Sequence, residues 1–132
     1  MILKGFKQEI KAAVAIVFDN DNNLLLGMSV GQNDERDGKW VFPGGGVDGN
    51  EYPLQSAIRE TYEEAGIIAH PLRLPMIVHP TKPFVAFFVL KTNDKKPKLT
   101  PNNEFSQMKW FELSKLPKEI LSLNLDVLKM IK

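Results

Sequence analysis

The chain has 132 residues, with 17 lysines and arginines against 16 aspartates and glutamates, and no cysteine. The length predicts a single domain over residues 1–132, and the net charge of +1 disfavours a surface that binds a nucleic-acid polymer. The absence of cysteine excludes disulfides, thiolate zinc sites and a cysteine nucleophile. The longest apolar runs, Ala12–Phe18 and Phe84–Leu90, have seven residues, whereas a membrane-spanning helix needs about 20. We therefore expect a cytoplasmic protein with no membrane segment.

The first quarter of the chain has the pattern of a β-hairpin followed by a polar loop. Ala12–Phe18 is continuously apolar and rich in β-branched residues, which predicts a strand buried on both faces. The run of aspartates and asparagines at 19–23 predicts a turn, and Leu24–Val30 then forms the return strand. The segment Gly31–Gly38 is polar and predicts a loop.

A helix is predicted after a glycine run. The short apolar segment Trp40–Phe42 stops at Pro43 and Gly44–Gly46. Pro53 suits the first turn of a helix, and Gly66 suits its C-terminal cap. Apolar or weakly polar positions recur at spacings of three and four and predict one buried face, consisting of Leu54, Ala57, Ile58, Thr61, Tyr62 and Ala65.

The second half of the chain alternates strand patterns with one more helix. Strands are predicted at Leu72–Val78, Phe84–Lys91 and Gln107–Phe111, and Glu119–Ile131 has the pattern of an amphipathic helix. The order of strands, one helix, strands and a final helix predicts an α/β fold with a mixed sheet between helices.

The residues with chemical potential lie on the first helix. Glu60, Glu63 and Glu64 are three and four residues apart, so their carboxylates share one patch of the helix surface. At about 5–6 Å and an effective dielectric near 20, each like-charge pair would repel by roughly 3 kcal/mol, and only Arg59 is near in sequence to offset this. A divalent cation such as Mg²⁺ would use the carboxylates as oxygen ligands. The residues alone leave open the alternative of a solvated acidic face.

The spacing of these residues closely resembles the Nudix box, a 23-residue signature that here spans residues 45–67. The signature is typical of hydrolases that act on nucleoside diphosphates linked to another moiety. Thr61 stands where the box has a bulky aliphatic residue, and it lies on the predicted core face. All eight fixed positions are filled, by Gly45, Glu51, Arg59, Glu60, Glu63, Glu64, Gly66 and Ile67.

The resemblance implies an α/β/α sandwich with a mixed β-sheet and a set of roles. Glu60, Glu63 and Glu64 match the metal-binding glutamates, with the Gly45 carbonyl as a further ligand. Two residues match supporting positions that hold the site in shape, namely Arg59 and Glu51. The implied cofactor is Mg²⁺, with Mn²⁺ as its substitute.

The resemblance also implies the chemistry. One to three metal ions would neutralise charge on the pyrophosphate and help to deprotonate the attacking water, and a carboxylate would take the proton. Glu60 and Glu104 are the candidates for this base, because the family often supplies one more glutamate from the loop before its later strand. Glu64 is expected to be essential for cleavage.

The substrate is less defined than the reaction. The short chain favours a nucleoside triphosphate, cleaved to nucleoside monophosphate and pyrophosphate. ADP-ribose, nucleotide sugars and dinucleoside polyphosphates are the alternatives, although no tyrosine follows the box as often occurs in the last group. A non-catalytic nucleotide-binding module and an isoprenoid-diphosphate isomerase are the other classes, and the common isomerase needs a cysteine that this chain lacks.

Other polar and aromatic residues are better explained without chemistry. His70 and His79 lack zinc-ligand spacing, and the glycine run lacks the Gly-Lys-Ser/Thr of a P-loop. Arg36, in a loop of polar residues, is expected to be solvated rather than bound to a substrate phosphate. Trp40 and Trp110 are expected in the core. The partner is thus predicted to be a small nucleotide, and the oligomeric state is left open.

Overall fold

A computed structural model describes residues 9–72, 76–79, 81–94, 96–98 and 104–131, apart from the side chain of Leu123. Residues 73–75 of the predicted strand Leu72–Val78 therefore lie outside the described part of the chain.

The described strands and helices follow the predicted order. Several predicted bounds differ from those in the structure. The strand from Leu24 ends at Ser29, and the last helix spans Ser122–Met130. Of the described residues in the predicted strand Leu72–Val78, only Ile77–Val78 form a strand, whereas the short strands at Gly44–Gly46 and His70–Pro71 were not predicted. The strand predicted from Phe84 begins at Val85, and that predicted from Gln107 begins at Phe105. A short 3₁₀ helix precedes that last helix. The strands are β1 (Ala12–Phe18), β2 (Leu24–Ser29), β3 (Trp40–Val41), β4 (Gly44–Gly46), β5 (His70–Pro71), β6 (Ile77–Val78), β7 (Val85–Lys91) and β8 (Phe105–Phe111), and the helices are α1 (Pro53–Ala65) and α2 (Ser122–Met130).

The sheet is mixed, with β1 at its centre. Strand β1 pairs in parallel with β7 along its whole length, from Ala12 opposite Val85 to Phe18 opposite Lys91. Its other edge pairs antiparallel with β2 at one end and with β4 at the other. Strand β2 pairs antiparallel with β3 and with β8. Strand β1 is therefore hydrogen-bonded along both edges and is a central strand of the sheet.

Each face of β1 contributes to a separate core. Ala13 and Ala15 point to one face, where they pack with Ala57 and Ala65 of α1. Ile16 points to the other face and belongs to a cluster that includes Phe87 of β7 and Val127 and Leu128 of α2. The two helices therefore cover opposite faces of the sheet, and the predicted α/β/α sandwich with a mixed sheet is confirmed.

Helix α1 has the predicted bounds but not the whole predicted face. Its last residue is Ala65, and the following Gly66 caps it in the left-handed conformation with a φ of 67°. Thr61 is fully buried and its hydroxyl donates to the Ala57 carbonyl at 2.8 Å, so its departure from the box concerns packing. The prediction was wrong for Tyr62, which is 57% exposed, whereas Glu64 is 3% exposed. The buried face turns toward β4, so it includes a carboxylate and leaves the tyrosine outside.

Among the described residues, no helix is long and apolar enough to cross a membrane.

Replacing Gly66 with alanine should lower the free energy of unfolding by about 1–2 kcal/mol, because a Cβ is disfavoured in the left-handed region. The added atom would also lie 3.2 Å from the Lys98 Cβ. The control is Gly49→Ala, because a Cβ there meets nothing within 4 Å. Urea denaturation of both variants measures the difference, and equal stabilities would contradict the left-handed cap as the cause.

Candidate active site

The glycine run forms β4 because its backbone lies too close to its neighbours for side chains. A Cβ on Gly44 would lie 2.7 Å from the Ala13 carbonyl oxygen and 2.8 Å from the Val14 Cα. A Cβ on Gly45 would fall on the carboxylate of Glu60. These glycines therefore bring β4 against β1 on one side and against α1 on the other, which is a packing role and not that of a P-loop.

The side chain of Glu64 is buried between α1 and β4. Its Oε1 accepts a hydrogen bond from the Gly44 N–H at 2.9 Å. The pKa of Glu64 is raised to about 9, mainly by burial and to a smaller extent by the charges of Glu60, Glu104 and Glu63, against the opposing effect of the Gly44 hydrogen bond. A carboxyl group held in this way is costly to ionise unless a cation lies next to it.

Glu60, on the same helix, and Glu104, next to the start of β8, both raise the pKa of Glu64 through their charges. The Glu60 side chain is 16% exposed, and burial raises its pKa, as do the charges of Glu63 and Glu104, while Arg59 lowers it. Glu104 directly precedes β8, and its backbone carbonyl accepts a hydrogen bond from the Val30 N–H at 2.9 Å. The tertiary structure thus brings Glu104, distant in sequence, to the neighbourhood of the box glutamates.

Arg59 is the centre of an ion-pair network on the solvent side of α1. Its Nε donates to Glu51 at 2.9 Å, and its Nη1 donates to both carboxylate oxygens of Glu63 at 3.0 Å. Its Nη2 donates to the Gly46 carbonyl at 3.4 Å and lies 3.4 Å from Asp48. Arg59 therefore joins the helix to β4 and to the loop that follows it.

Glu51 completes this network at the start of the helix. Its other oxygen accepts from the Ser56 hydroxyl at 2.7 Å. The hydrogen bond from Arg59, followed by that from Ser56, lowers the pKa of the Glu51 carboxyl. Glu51 thus bridges the loop and the first turns of α1, the position in which sequence analysis expected it to support the site.

The structure does not gather the three box glutamates into one cluster. Glu63 is turned toward Arg59, whereas Glu64 is turned toward Gly44. Within residues 9–72, 76–79, 81–94, 96–98 and 104–131, no three histidine, cysteine or acidic side chains are arranged to hold a metal ion. Glu63 and Glu64 thus have different hydrogen-bond partners, although the charges of Glu60 and Glu63 both act on Glu64.

The donor set nevertheless fits a divalent cation. It consists of carboxylate and carbonyl oxygens, the ligands that Mg²⁺ prefers. The buried Glu64 lies within the electrostatic range of Glu60 and Glu104, and a cation would relieve both the desolvation and the repulsion at this position. The Gly45 backbone lies next to the Glu60 carboxylate, and the role of its carbonyl as a further ligand stays a prediction.

A cavity of about 210 Å³ opens beside these acids. Glu64, Glu104 and the Gly44–Gly45 backbone line one part of it, and Val14, Phe42, Val85, Phe105 and Leu121 line an apolar part. Sequence analysis missed Asn124 of α2, which lines the cavity and is 4% exposed. A buried amide on an otherwise apolar helix face was the signal that could have identified it. The cavity is lined by residues of β1, β2, β3, β4, β7, β8, α1 and α2 and of the segments that connect them.

The remaining sequence candidates lie elsewhere or have structural partners. Trp40 is buried and makes an edge contact with Phe111 at 4.8 Å between ring centroids. His79 is buried and its Nδ1 accepts from the Thr81 N–H at 3.1 Å, whereas His70 is exposed. Neither histidine lines the cavity. These positions agree with the structural and solvent roles that the sequence predicted.

The chain is similar to known proteins in its family signature, its sequence and its fold. The family model described as NUDIX domain matches residues 9–130. An RNA pyrophosphohydrolase from Bartonella bacilliformis is 31% identical over 107 residues, covering 63% of this chain and 63% of the relative. An 8-oxo-dGTP diphosphatase from Proteus vulgaris is 34% identical over 61 residues, covering 46% of this chain and 54% of the relative. The chain therefore spans less than two thirds of the length of these curated relatives.

A solved structure supports the fold over nearly the whole chain. The crystal structure of a MutT NUDIX hydrolase from Burkholderia pseudomallei matches with a TM-score of 0.70 at 23% identity. The match covers 96% of this chain and 100% of that one. At this identity the similarity establishes the fold and leaves the substrate undetermined.

Protein without bound metal should lose stability as the pH rises from 4.5 to about 9. The folded state keeps a proton on Glu64 that the unfolded chain releases near its ordinary pKa of 4.5. The contribution of Glu64 is therefore fully present below that pH and lost as the pH approaches the folded pKa. Urea denaturation in the presence of a chelator, repeated across this range, measures the slope.

The free energy of unfolding should depend less on pH in Glu64→Gln, because the amide oxygen can still accept the hydrogen bond from Gly44 but the amide does not ionise. Glu112→Gln is the matched control, because Glu112 is 63% exposed and does not line the cavity. If the wild type and Glu64→Gln show the same pH dependence, the assignment of this proton to Glu64 is wrong.

Proposed function

Because the chain belongs to the NUDIX domain family, we propose that it is a Mg²⁺-dependent hydrolase of the pyrophosphate bond in nucleoside diphosphate derivatives. The proposed substrate is a nucleoside triphosphate, with nucleoside monophosphate and pyrophosphate as products. Mn²⁺ is expected to replace Mg²⁺, as the similar coordination chemistry of these hard cations allows.

One observation carries this proposal, namely the buried carboxyl of Glu64 in the same cavity as Glu104. The Gly44 N–H fixes Glu64 at the cavity wall. A purely structural carboxyl would find a cationic partner or remain in solvent, since buried acids without one are costly. A site that binds a cation and a polyphosphate accounts for both the burial and the clustering of negative charge.

The proposed roles follow from the match to the positions of the Nudix box. Glu60, Glu63, Glu64 and the Gly45 carbonyl would hold the Mg²⁺ ions, with Arg59 and Glu51 keeping β4 and α1 in register. When bound, the cations supply charge neutralisation at the bridging oxygen and a lower pKa for the attacking water. Glu60 and Glu104 are the proposed acceptors for the proton of the attacking water, as the resemblance to the Nudix box implies.

The apolar part of the cavity supports a nucleoside as the other end of the substrate. Phe42, Leu121 and the amide of Asn124 lie together in its wall, and flat bases bind between apolar surfaces with a few polar contacts. The polar and apolar parts together match a molecule that has a polyphosphate at one end and a base at the other.

A second candidate is the 5′-triphosphate end of RNA, favoured by the relative named RNA pyrophosphohydrolase that matches the longest stretch reported above. The bond that breaks would be of the same type. The near-neutral charge favours a free nucleotide over a polymer, and a cytoplasmic location stays a prediction from the sequence. A panel of nucleoside triphosphates, ADP-ribose, nucleotide sugars, dinucleoside polyphosphates and triphosphorylated RNA with Mg²⁺ distinguishes these substrates by their products.

The variant Glu64→Gln should abolish Mg²⁺-dependent cleavage while the protein stays folded. The amide is nearly isosteric and can accept the Gly44 hydrogen bond, but it carries no negative charge for a cation. Chromatography of the products measures cleavage, and circular dichroism confirms the fold. Glu112→Gln, which removes an exposed carboxylate outside the cavity, should leave turnover at the wild-type level.

Undiminished turnover in Glu64→Gln would sink the proposed role of this carboxylate. A wild-type protein that cleaves nothing in the panel, but binds nucleotides, would point instead to a non-catalytic nucleotide-binding module.

A further inference from the structure

Arg36 lies in the wall of the same cavity as Glu64 and Glu104, within the loop between β2 and β3. Of the described residues that line this cavity, Arg36 is the only one with a positive charge. Its side chain is 47% exposed, whereas Phe42, Leu121 and Asn124 in the same wall are buried. Arg36 therefore lies at the mouth of the cavity, and the apolar residues lie deeper.

The Arg36 guanidinium is held in place by its own loop. Its Nε donates to the two Asp34 oxygens at 3.0 and 3.1 Å, and its Nη2 donates to Asp34 at 2.7 Å. The same Nη2 also donates to the Gln32 side-chain oxygen at 2.9 Å. The Asp34 carboxylate in turn accepts from the Arg36 backbone N–H at 2.9 Å. This two-sided pairing orients the guanidinium before any substrate arrives.

The loop that contains Arg36 is itself anchored at both ends. The Gly38 N–H donates to the Ser29 carbonyl at 2.8 Å, and the Ser29 N–H donates to the Lys39 carbonyl at 2.9 Å. Lys82, from the segment before β7, lies 3.5 Å from Glu35. These backbone hydrogen bonds close the loop without any contribution from the Arg36 side chain. The loop therefore does not need an arginine at this position in order to close.

The described contacts leave part of the guanidinium open for a ligand. A guanidinium has five N–H donors, of which the one on Nε and the two on Nη2 meet Asp34 and Gln32. The two donors on Nη1 make no hydrogen bond with any described residue. The two N–H donors of Nη1, on a permanently charged group, suit two oxygens of a phosphate.

We propose that Arg36 binds the outer phosphate of the substrate polyphosphate and that Asp34 and Gln32 position it for this contact. This proposal rests on the proposed function and adds to it a preference for substrates whose polyphosphate has a free end. A terminal phosphate carries between one and two negative charges near neutral pH, whereas each phosphate of a pyrophosphate diester carries one. The contact at the cavity mouth therefore favours nucleoside triphosphates, or a triphosphate end, over ADP-ribose.

The test is steady-state kinetics of Arg36→Ala with a nucleoside triphosphate and with ADP-ribose in the presence of Mg²⁺. For the triphosphate we expect KM to rise about tenfold, the size of a lost hydrogen bond to a charged group, with kcat changed much less. Arg36→Lys keeps the positive charge but lacks the several N–H donors of a guanidinium, so its KM should lie between those of the wild type and Arg36→Ala. The matched control is Lys115→Ala, which removes an exposed cation outside the cavity.

The positioning role of Asp34 is tested by a double-mutant cycle. Asp34→Ala should raise KM for the triphosphate in the wild-type background and should have no further effect when Arg36 is already alanine. Equal effects of Asp34→Ala in both backgrounds would overturn the positioning role.

The outcomes separate this inference from the proposed function. If Arg36→Ala keeps the wild-type KM while Glu64→Gln abolishes cleavage, the hydrolase stands and the role of Arg36 is overturned. An equal rise of KM for ADP-ribose and the triphosphate would overturn the preference for a free phosphate end. If the wild type cleaves nothing, the phosphate contact is tested by calorimetric titration of α,β-methylene ATP into the protein with Mg²⁺. The same affinity for the wild type and Arg36→Ala would overturn the contact.

Discussion

The hydrogen bond from the Gly44 N–H to the buried Glu64 carboxyl joins the two elements on which the candidate site depends. It requires that β4 lie against both β1 and α1, and this close approach requires glycine at positions 44 and 45. The small side chains of Ala57 and Ala65 serve the same purpose where α1 meets the sheet. Close packing of β4, α1 and the sheet therefore depends on small residues, namely the glycine run and the alanines of the helix. This packing keeps the carboxyl group of Glu64 at the wall of the cavity.

The acids of the box fall into two electrostatic groups. Glu51 and Glu63 hydrogen-bond to Arg59 on the solvent side of α1, and this partner lowers the pKa of Glu51. Glu60 and Glu64 face β4, where burial raises their pKa values. Arg59 compensates the first group through hydrogen bonds and also forms an ion pair with Glu60 of the second group, at 3.6 Å. One arginine thus holds the frame of the site and leaves negative charge concentrated where a cation and a phosphate would meet.

The sequence predicted best what local interactions determine. Pro53 and Gly66 bound α1, and the apolar run Ala12–Phe18 is the central strand, because propensity and capping act within a few residues. The exposure of Tyr62 and the burial of Glu64 were not predicted, since a helical pattern assigns acids to solvent and cannot know that β4 covers one of them. The wall of the cavity depends on tertiary structure. Arg36 and Asn124 lie in segments without a recognisable motif, and only the folded chain brings them to Glu64.

The two parts of the cavity differ in how the chain closes them. Gly44 and Glu64 are 20 residues apart, so the acidic part needs only a short loop between β4 and α1. The opposite wall depends on the pairing of β2 with β8 and on the Val30–Glu104 hydrogen bond, which join distant segments of the chain. Closing such long loops is slow in folding because the entropy is lost before the contacts form. The pair of Gly44 and Glu64 is consequently encoded locally, whereas Glu104 and the rest of the cavity wall reach this pair only through the long-range pairing of distant strands.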